Sequence, residues 1–171
     1  MQRVFMTHPF DVLTLANGAA FIFTPCPGTK DANLRDAIAS LNAAGTHAII
    51  SVLPDDEIAT LGVTALGHDI VQQGLAWYQL PIEDDEAPQQ PFLSGFAMVK
   101  NELLARMAAQ QTLAIHCRGG SGRTGLMAAI LLLESGLPWP QVQGLIQGLR
   151  PNALTLAPHL NFLKAHYPQV S

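Results

Sequence analysis

The chain has 171 residues, which suits one domain with a sizeable core; 49% of them are hydrophobic and only 13% are charged. A formal net charge of −4 with nine Lys and Arg argues against a general nucleic-acid binder, which carries an excess of basic residues. Two cysteines are too few for a disulfide framework, and the longest apolar run, Leu126 to Leu133, is too short to span a bilayer.

The N-terminal stretch "MQRVFMTHPFDVLTLANG" is mildly apolar, but His8, Pro9 and Asp11 interrupt any signal-peptide core. Only "ANGAA" is cleavage-like, and a cytoplasmic protein is expected. "AAFIF" (19–23) reads as a short strand closed by the breaker "TPCPGTK". From Asp31 to Ala44, Leu34, Ala37, Ile38 and Leu41 recur at helical spacing, and Gly45 supplies the stop. "HAIISVL" (47–53) is rich in branched residues and ends at Pro54, as a buried strand does. The acidic "DDE" at 55–57 fits the start of a helix, where the dipole favours negative charge. By default such a run is a solvated face. A further helix is predicted from about Thr64 to Gln73, with Gly74 ending it.

"LAWYQLPI" (75–82) reads as a strand, followed by the acidic, proline-bounded loop "EDDEAPQQP". Residues 93–110 form an amphipathic helix with Phe96, Val99, Leu103 and Met107 along one face. "TLAIHC" (112–117) is a strand, then a glycine-rich loop, then "TGLMAAILLLES", apolar on nearly every side and therefore central. Helices near 140–149 and 158–166 finish the chain. No internal repeat or long linker interrupts it, so a single domain over 1–171 is expected. Strands alternating with helices predict an α/β sandwich: a central, largely parallel sheet flanked by helices. Ligands of such folds sit at the C-terminal ends of the strands.

"AIHCRGGSGRTG", residues 114–125, lies at such an end. Gly119, Gly120, Gly122 and Gly125 allow a tight turn whose N–H groups make an anion-binding nest. The helix beginning near Arg123 adds its positive dipole end. A phosphate there would be held by the amides of Arg118, Gly119, Gly120, Ser121 and Gly122 and by a bidentate Arg123 guanidinium. Cys117 opens the loop, and a helix N-terminus with nearby cations favours the thiolate, the nucleophilic form. Thr124 is placed to donate to the sulfur, and His116 to order the loop.

"HCRGGSGRTG" matches His-Cys-x5-Arg-Ser/Thr, the pattern of the cysteine-dependent protein tyrosine and dual-specificity phosphatases, which the chain resembles. The stretches "PCPGTKDANLRDAIASLNAAGTHAIISVL", "LAWYQLPIEDDEAP" and "LRPNALTLAPHLNFL" resemble the cyclin-dependent-kinase-associated branch of dual-specificity phosphatases, roughly from Pro25 to Leu163. Residues 1–24 match nothing in that family. The resemblance implies a dual-specificity-phosphatase-like fold and metal-independent phosphomonoester hydrolysis through a phosphocysteine, without a cofactor. It implies a phosphorylated protein or a small phosphomonoester as substrate, with no nucleic-acid partner; oligomeric state is left open. The leaving oxygen needs a proton. In that branch an Asp in a Pro-Ile-x-Asp context gives it, which here nominates Asp84, with Asp85 as rival and Glu83 and Glu86 as weaker candidates. Many relatives carry a glutamine in a late loop to position water; the corresponding position here holds His159.

Two other classes compete. A rhodanese-like sulfurtransferase or an arsenate reductase also opens an anion-cradling loop with a Cys, and would reveal itself by a persulfide or a disulfide during turnover. A non-catalytic phosphate-recognising module would bind a phosphopeptide without releasing phosphate. Cys26, between two prolines, reads as a small loop residue rather than a resolving thiol. Arg118 is either solvated or selective for extra anionic groups, and Arg150 is a helix-end charge or a salt-bridge partner. His8, His47, His68 and His166 show no ligand-like spacing, and no zinc motif is present.

Overall fold

The computed structural model describes residues 7–170; the first six residues of the N-terminal stretch lie outside the described part. Five strands form one sheet: β1 (Asp11–Thr14), β2 (Ala20–Thr24), β3 (Ala48–Ser51), β4 (Ala76–Gln79) and β5 (Thr112–His116). Their order is β1-β2-β5-β3-β4, with β2, β5, β3 and β4 parallel and β1 antiparallel at the edge. The helices are α1 (Leu34–Ala43), α2 (Asp55–Thr60), α3 (Leu66–Gln72), α4 (Gln90–Ala108), α5 (Gly122–Glu134), α6 (Trp139–Leu149) and α7 (Ala157–His166). This is the single-domain α/β sandwich with a mostly parallel sheet.

Alternation along the central strands builds a core on each face. Phe21, Phe23, Ile50, Leu113 and Ile115 face α4 to α7, while Ile22, Ile49 and Ala114 face α1 and α3 through Ile38, Leu41, Leu66 and Ile70. Every residue of α5 from Arg123 to Leu133 is buried, so this helix runs through the centre of the molecule. Each fully buried Leu or Ile contributes roughly 1.5–3 kcal/mol. The helix fixes its own N-terminus, and with it the preceding loop.

Most element boundaries moved inward or outward by a few residues for local reasons. α1 starts only at Leu34 because the Asn33 side chain caps it, accepting from the Asp36 N–H at 2.9 Å. α4 begins three residues before the expected position because Pro91 fits a first turn, where its missing N–H costs nothing. β1 is an addition that the sequence reading did not contain. No helix among the described residues is long and apolar enough to cross a membrane.

Candidate active site

β5 ends at His116, in register with Ser51 of β3 and Thr24 of β2, and the glycine-rich loop leaves from this point toward α5. Three carbonyls of the loop are tied outward. His116 Nδ1 donates to the Cys117 carbonyl (3.0 Å), the Cys26 N–H to the Arg118 carbonyl (3.0 Å), and Arg150 Nε to the Gly120 carbonyl (2.9 Å). No cis peptide occurs among the described residues. In a trans peptide the C=O and the next N–H point to opposite sides. Anchoring these carbonyls therefore turns the N–H groups of Arg118, Gly119 and Ser121 inward. The Gly120 N–H already faces the sulfur, at 3.3 Å from Cys117 Sγ. α5 has no side-chain cap, which leaves its first-turn amides open to an anion.

Of the four loop glycines, only Gly120 has a positive φ (81°), and an added Cβ there would lie 2.5 Å from the Thr24 carbonyl. Gly122 and Gly125 are helical instead, and Gly125 serves the close approach of α5 to Ala153. The expectation that all four serve the turn is corrected accordingly.

Thr124 Oγ1 donates to Cys117 Sγ at 3.2 Å, and both side chains are buried. His116 lies wholly inside, and its hydrogen bonds define its tautomer. The Cys117 carbonyl can only accept, so Nδ1 carries the proton and Nε2 accepts from Ser51 Oγ at 2.5 Å. Ser51 in turn accepts from Trp77 Nε1 at 2.9 Å. Burial pushes the His116 imidazole down to about 4, so the ring is neutral.

Arg123 is 3% exposed, and Glu57 of α2 grips it through two 2.8 Å contacts, Nη1 to Oε1 and Nη2 to Oε2. Nη1 also donates to the Ile82 carbonyl at 3.0 Å. The run 55–57 is thus not merely a solvated face: Glu57 is the site residue that sequence reasoning missed. Hydrogen bonding from Arg123 holds its carboxyl below the ordinary range, against the opposing effect of burial. Nothing in the sequence separates Glu57 from Asp55 and Asp56 except that α2 turns only one of the three toward Arg123.

Asp84 and Asp85 occupy a turn closed by Glu86 N–H to the Glu83 carbonyl at 3.2 Å, with Asp85 at φ 61°. The turn aims them differently. Asp84 Oδ1 lies 3.5 Å from Arg123 Nη2, whereas the Asp85 carboxylate acts on His159 more strongly than that of Asp84 does. His159, on α7, is buried with Nε2 unpartnered, and burial lowers its basicity. Glu83, Glu86, Arg118 and Gly119 are exposed, and Ser121 is half-buried. Arg150 fills both roles expected of it, capping α6 and pairing with Asp11. Cys26 is fully buried, and burial pushes its thiol up to about 12. No group of three or more His, Cys, Asp or Glu among the described residues is arranged to hold a metal.

A thiol at the opening of an amide-lined loop, with a clamped arginine behind it and an acidic loop opposite, defines a class of protein: the cysteine phosphatases. The family model for a Swiss Army Knife protein, DSP-PTPase phosphatase domain, matches residues 28–169, and the chain belongs to that family. It is 25% identical over 167 residues to the PRL-1 phosphatase of Drosophila melanogaster, covering 95% of this chain and 85% of that protein. It is 27% identical over 95 residues to "Probable protein tyrosine phosphatase type IVA B" of Dictyostelium discoideum, a match spanning 55% of this chain and only 58% of that protein's length. In structure it resembles the kinase associated phosphatase KAP, solved with serine at its catalytic cysteine, with a TM-score of 0.80, 23% identity and 92% of each chain covered.

Proposed function

We propose that the protein hydrolyses phosphomonoesters through a phosphocysteine at Cys117, without need of a metal. The observation that carries this reading is the sulfur's setting. Cys117 Sγ receives the Gly120 N–H and the Thr124 hydroxyl at the mouth of α5, whose first turn carries Arg123. In the first step the thiolate attacks phosphorus in line, the P–O bond to the leaving group breaks, and Asp84 gives its proton to the departing oxygen. The loop amides and Arg123 hold the charge on the phosphoryl oxygens in the transition state. In the second step water attacks the same phosphorus, Asp84 takes the water's proton, and the P–S bond breaks. Thr124 then steadies the released thiolate. The nearness of Asp84 rather than Asp85 to Arg123 supports its role, and His159 remains beside the acidic loop as a supporting group.

The substrate class is a phosphorylated protein or a small phosphomonoester. A cytoplasmic setting fits, since a reactive free thiol persists in a reducing compartment. The arsenate-reductase reading wants an accessible resolving thiol, and Cys26 is buried and hard to ionise. The test is hydrolysis of a generic aryl phosphate with chelator present. Wild type is expected to turn over and to be blocked by vanadate, Cys117→Ser to be inactive, and Asp84→Ala to be slowed by about 10²- to 10³-fold. An equal loss in Asp85→Ala with Asp84→Ala unaffected would transfer the acid role, and a folded, reduced wild type releasing no phosphate would overturn the reading.

A further inference from the structure

The family match begins at residue 28, yet the loop that holds Cys117 leans on residues well before it. Two lines of contact lead from the N-terminal segment to Gly120. Along the first, Asp11 Oδ2 pairs with Arg150 Nη1 at 2.8 Å, and the same guanidinium donates to the Gly120 carbonyl at 2.9 Å and to the Phe23 carbonyl at 3.4 Å. Its plane also lies over the Phe23 ring, 5.8 Å from the centroid. Along the second, His8 Nε2 lies 2.5 Å from Thr24 Oγ1 and 3.1 Å from the Pro25 carbonyl. Thr24 Oγ1 meanwhile donates to the Pro9 carbonyl at 2.9 Å. The Pro25 carbonyl can only accept, so His8 Nε2 carries the proton and donates to it and to Thr24 Oγ1, whose own hydroxyl proton is shared between the Pro9 and Pro25 carbonyls.

Thr24 and Pro25 are the atoms against which Gly120 is packed, its absent Cβ position lying 2.5 and 2.7 Å from them. The next residue, Cys26, holds the Arg118 carbonyl. Both lines thus end on peptides that aim loop amides at the sulfur and the anion. Neither His8 nor Asp11 touches that centre.

We infer that residues 8–11 form a strap that positions the phosphate loop, with His8 and Asp11 as positioning residues for anion binding and for the reactivity of Cys117. A strand that only closed the sheet edge would need neither side chain. His8 is buried with Nδ1 unpartnered, and Asp11 is a mostly exposed carboxylate paired with Arg150, whose Nε donates to the loop.

The activity arm of the test rests on the phosphatase reading; the thiol arm does not. Alkylation of Cys117 by iodoacetamide, with and without vanadate as protecting anion, is followed in wild type, Asp11→Asn, Asp11→Glu, His8→Leu and His8→Gln, alongside thermal melts. Gln keeps a donor near the position of Nε2, and Glu keeps the charge. Asp11→Asn and His8→Leu are expected to slow alkylation and weaken vanadate protection by about five- to fiftyfold, as small displacements of positioning groups do. The Glu and Gln variants should recover most of the loss. Where aryl phosphate is hydrolysed, kcat should fall in parallel. Folded Asp11→Asn and His8→Leu with wild-type alkylation and protection would overturn the strap, even if their melting temperatures fell. If His8→Leu does not fold, the exposed Asp11→Asn decides alone. Absence of hydrolysis in wild type leaves the alkylation arm intact, so the two readings fail separately.

Discussion

Both Nη1 hydrogens of Arg123 and one on Nη2 are taken by Glu57 and the Ile82 carbonyl. That leaves the Nε and remaining Nη2 hydrogens, an edge whose spacing matches two oxygens of a phosphate. Asp84 is drawn to the same edge, 3.5 Å from Nη2. On the proposed mechanism a phosphate arriving there would take over the contact and free the Asp84 carboxyl for the leaving group. By occupying the other hydrogens, Glu57 and the Ile82 carbonyl leave this edge, and not another, free for an anion. Glu57→Gln keeps the shape but weakens the grip from charge-assisted to ordinary hydrogen bonds and lets the guanidinium swing. The expected result is a fall in kcat/KM of about 10- to 100-fold with the Cys117 alkylation rate little changed. Steady-state kinetics beside an alkylation time course measure both, and an unchanged kcat/KM would show that Ile82 and packing suffice to hold Arg123.

At the level of elements, the motif and the helix behind it could be read directly because their signals are local. A continuous apolar run such as Leu126–Leu133 can only be buried, and a strand ending in His-Cys ahead of glycines can only turn. β1 escaped because it is four residues long and only Leu13 faces inward, too little for a period-two pattern. Its true signal was Asn17-Gly18, which the structure uses as the hairpin turn: Gly18 has φ 96°, and Leu15 N–H reaches the Ala19 carbonyl at 2.8 Å. The same residues form part of the cleavage-like "ANGAA". The grip of Glu57 on Arg123 and the reach of Arg150 to the Gly120 carbonyl escaped for the opposite reason, since these partners lie 66 and 30 residues apart and only the fold brings them together. Gly125 carries a testable element-level constraint. A Cβ there would sit 2.6 Å from Ala153 Cβ and 3.2 Å from Ile146 Cγ2, forcing α5 away from α6 and the following turn. Overpacking of this kind outweighs the helix-propensity gain of Gly to Ala, so Gly125→Ala should lose about 1–2 kcal/mol. Urea unfolding would register a lower midpoint with an unchanged slope; a midpoint at or above wild type would mean that the turn at Ala153 yields freely.

For the whole molecule, the consequence of building the site on buried imidazoles is a sensitivity to acid. His8, His116 and His159 all lie inside around the phosphate loop, and burial lowers the basicity of each. When the chain unfolds they regain their ordinary value of 6.5, so below that pH the unfolded state binds protons that the folded state refuses. Stability therefore rises with pH across this window and is lost as pH falls from about 6.5 toward 4, the reverse of a histidine gaining an acidic partner. His116 alone accounts for roughly 3 kcal/mol between its ordinary 6.5 and its buried value of about 4, a large share of a domain's stability. Glu57 acts in the same direction in a lower window: its carboxyl is held below the usual 4.5, so its stabilisation is present above that pH and lost as pH falls through the lowered value. Urea titrations from pH 8 to pH 4.5 should accordingly show a midpoint that is level above about pH 7 and falls steadily below 6.5. His116→Asn should start less stable, because the relay from Ser51 to the Cys117 carbonyl is cut, but its midpoint should fall less steeply with acid. A wild-type midpoint that stays flat down to pH 5 would mean that these imidazoles take up protons without unfolding the protein.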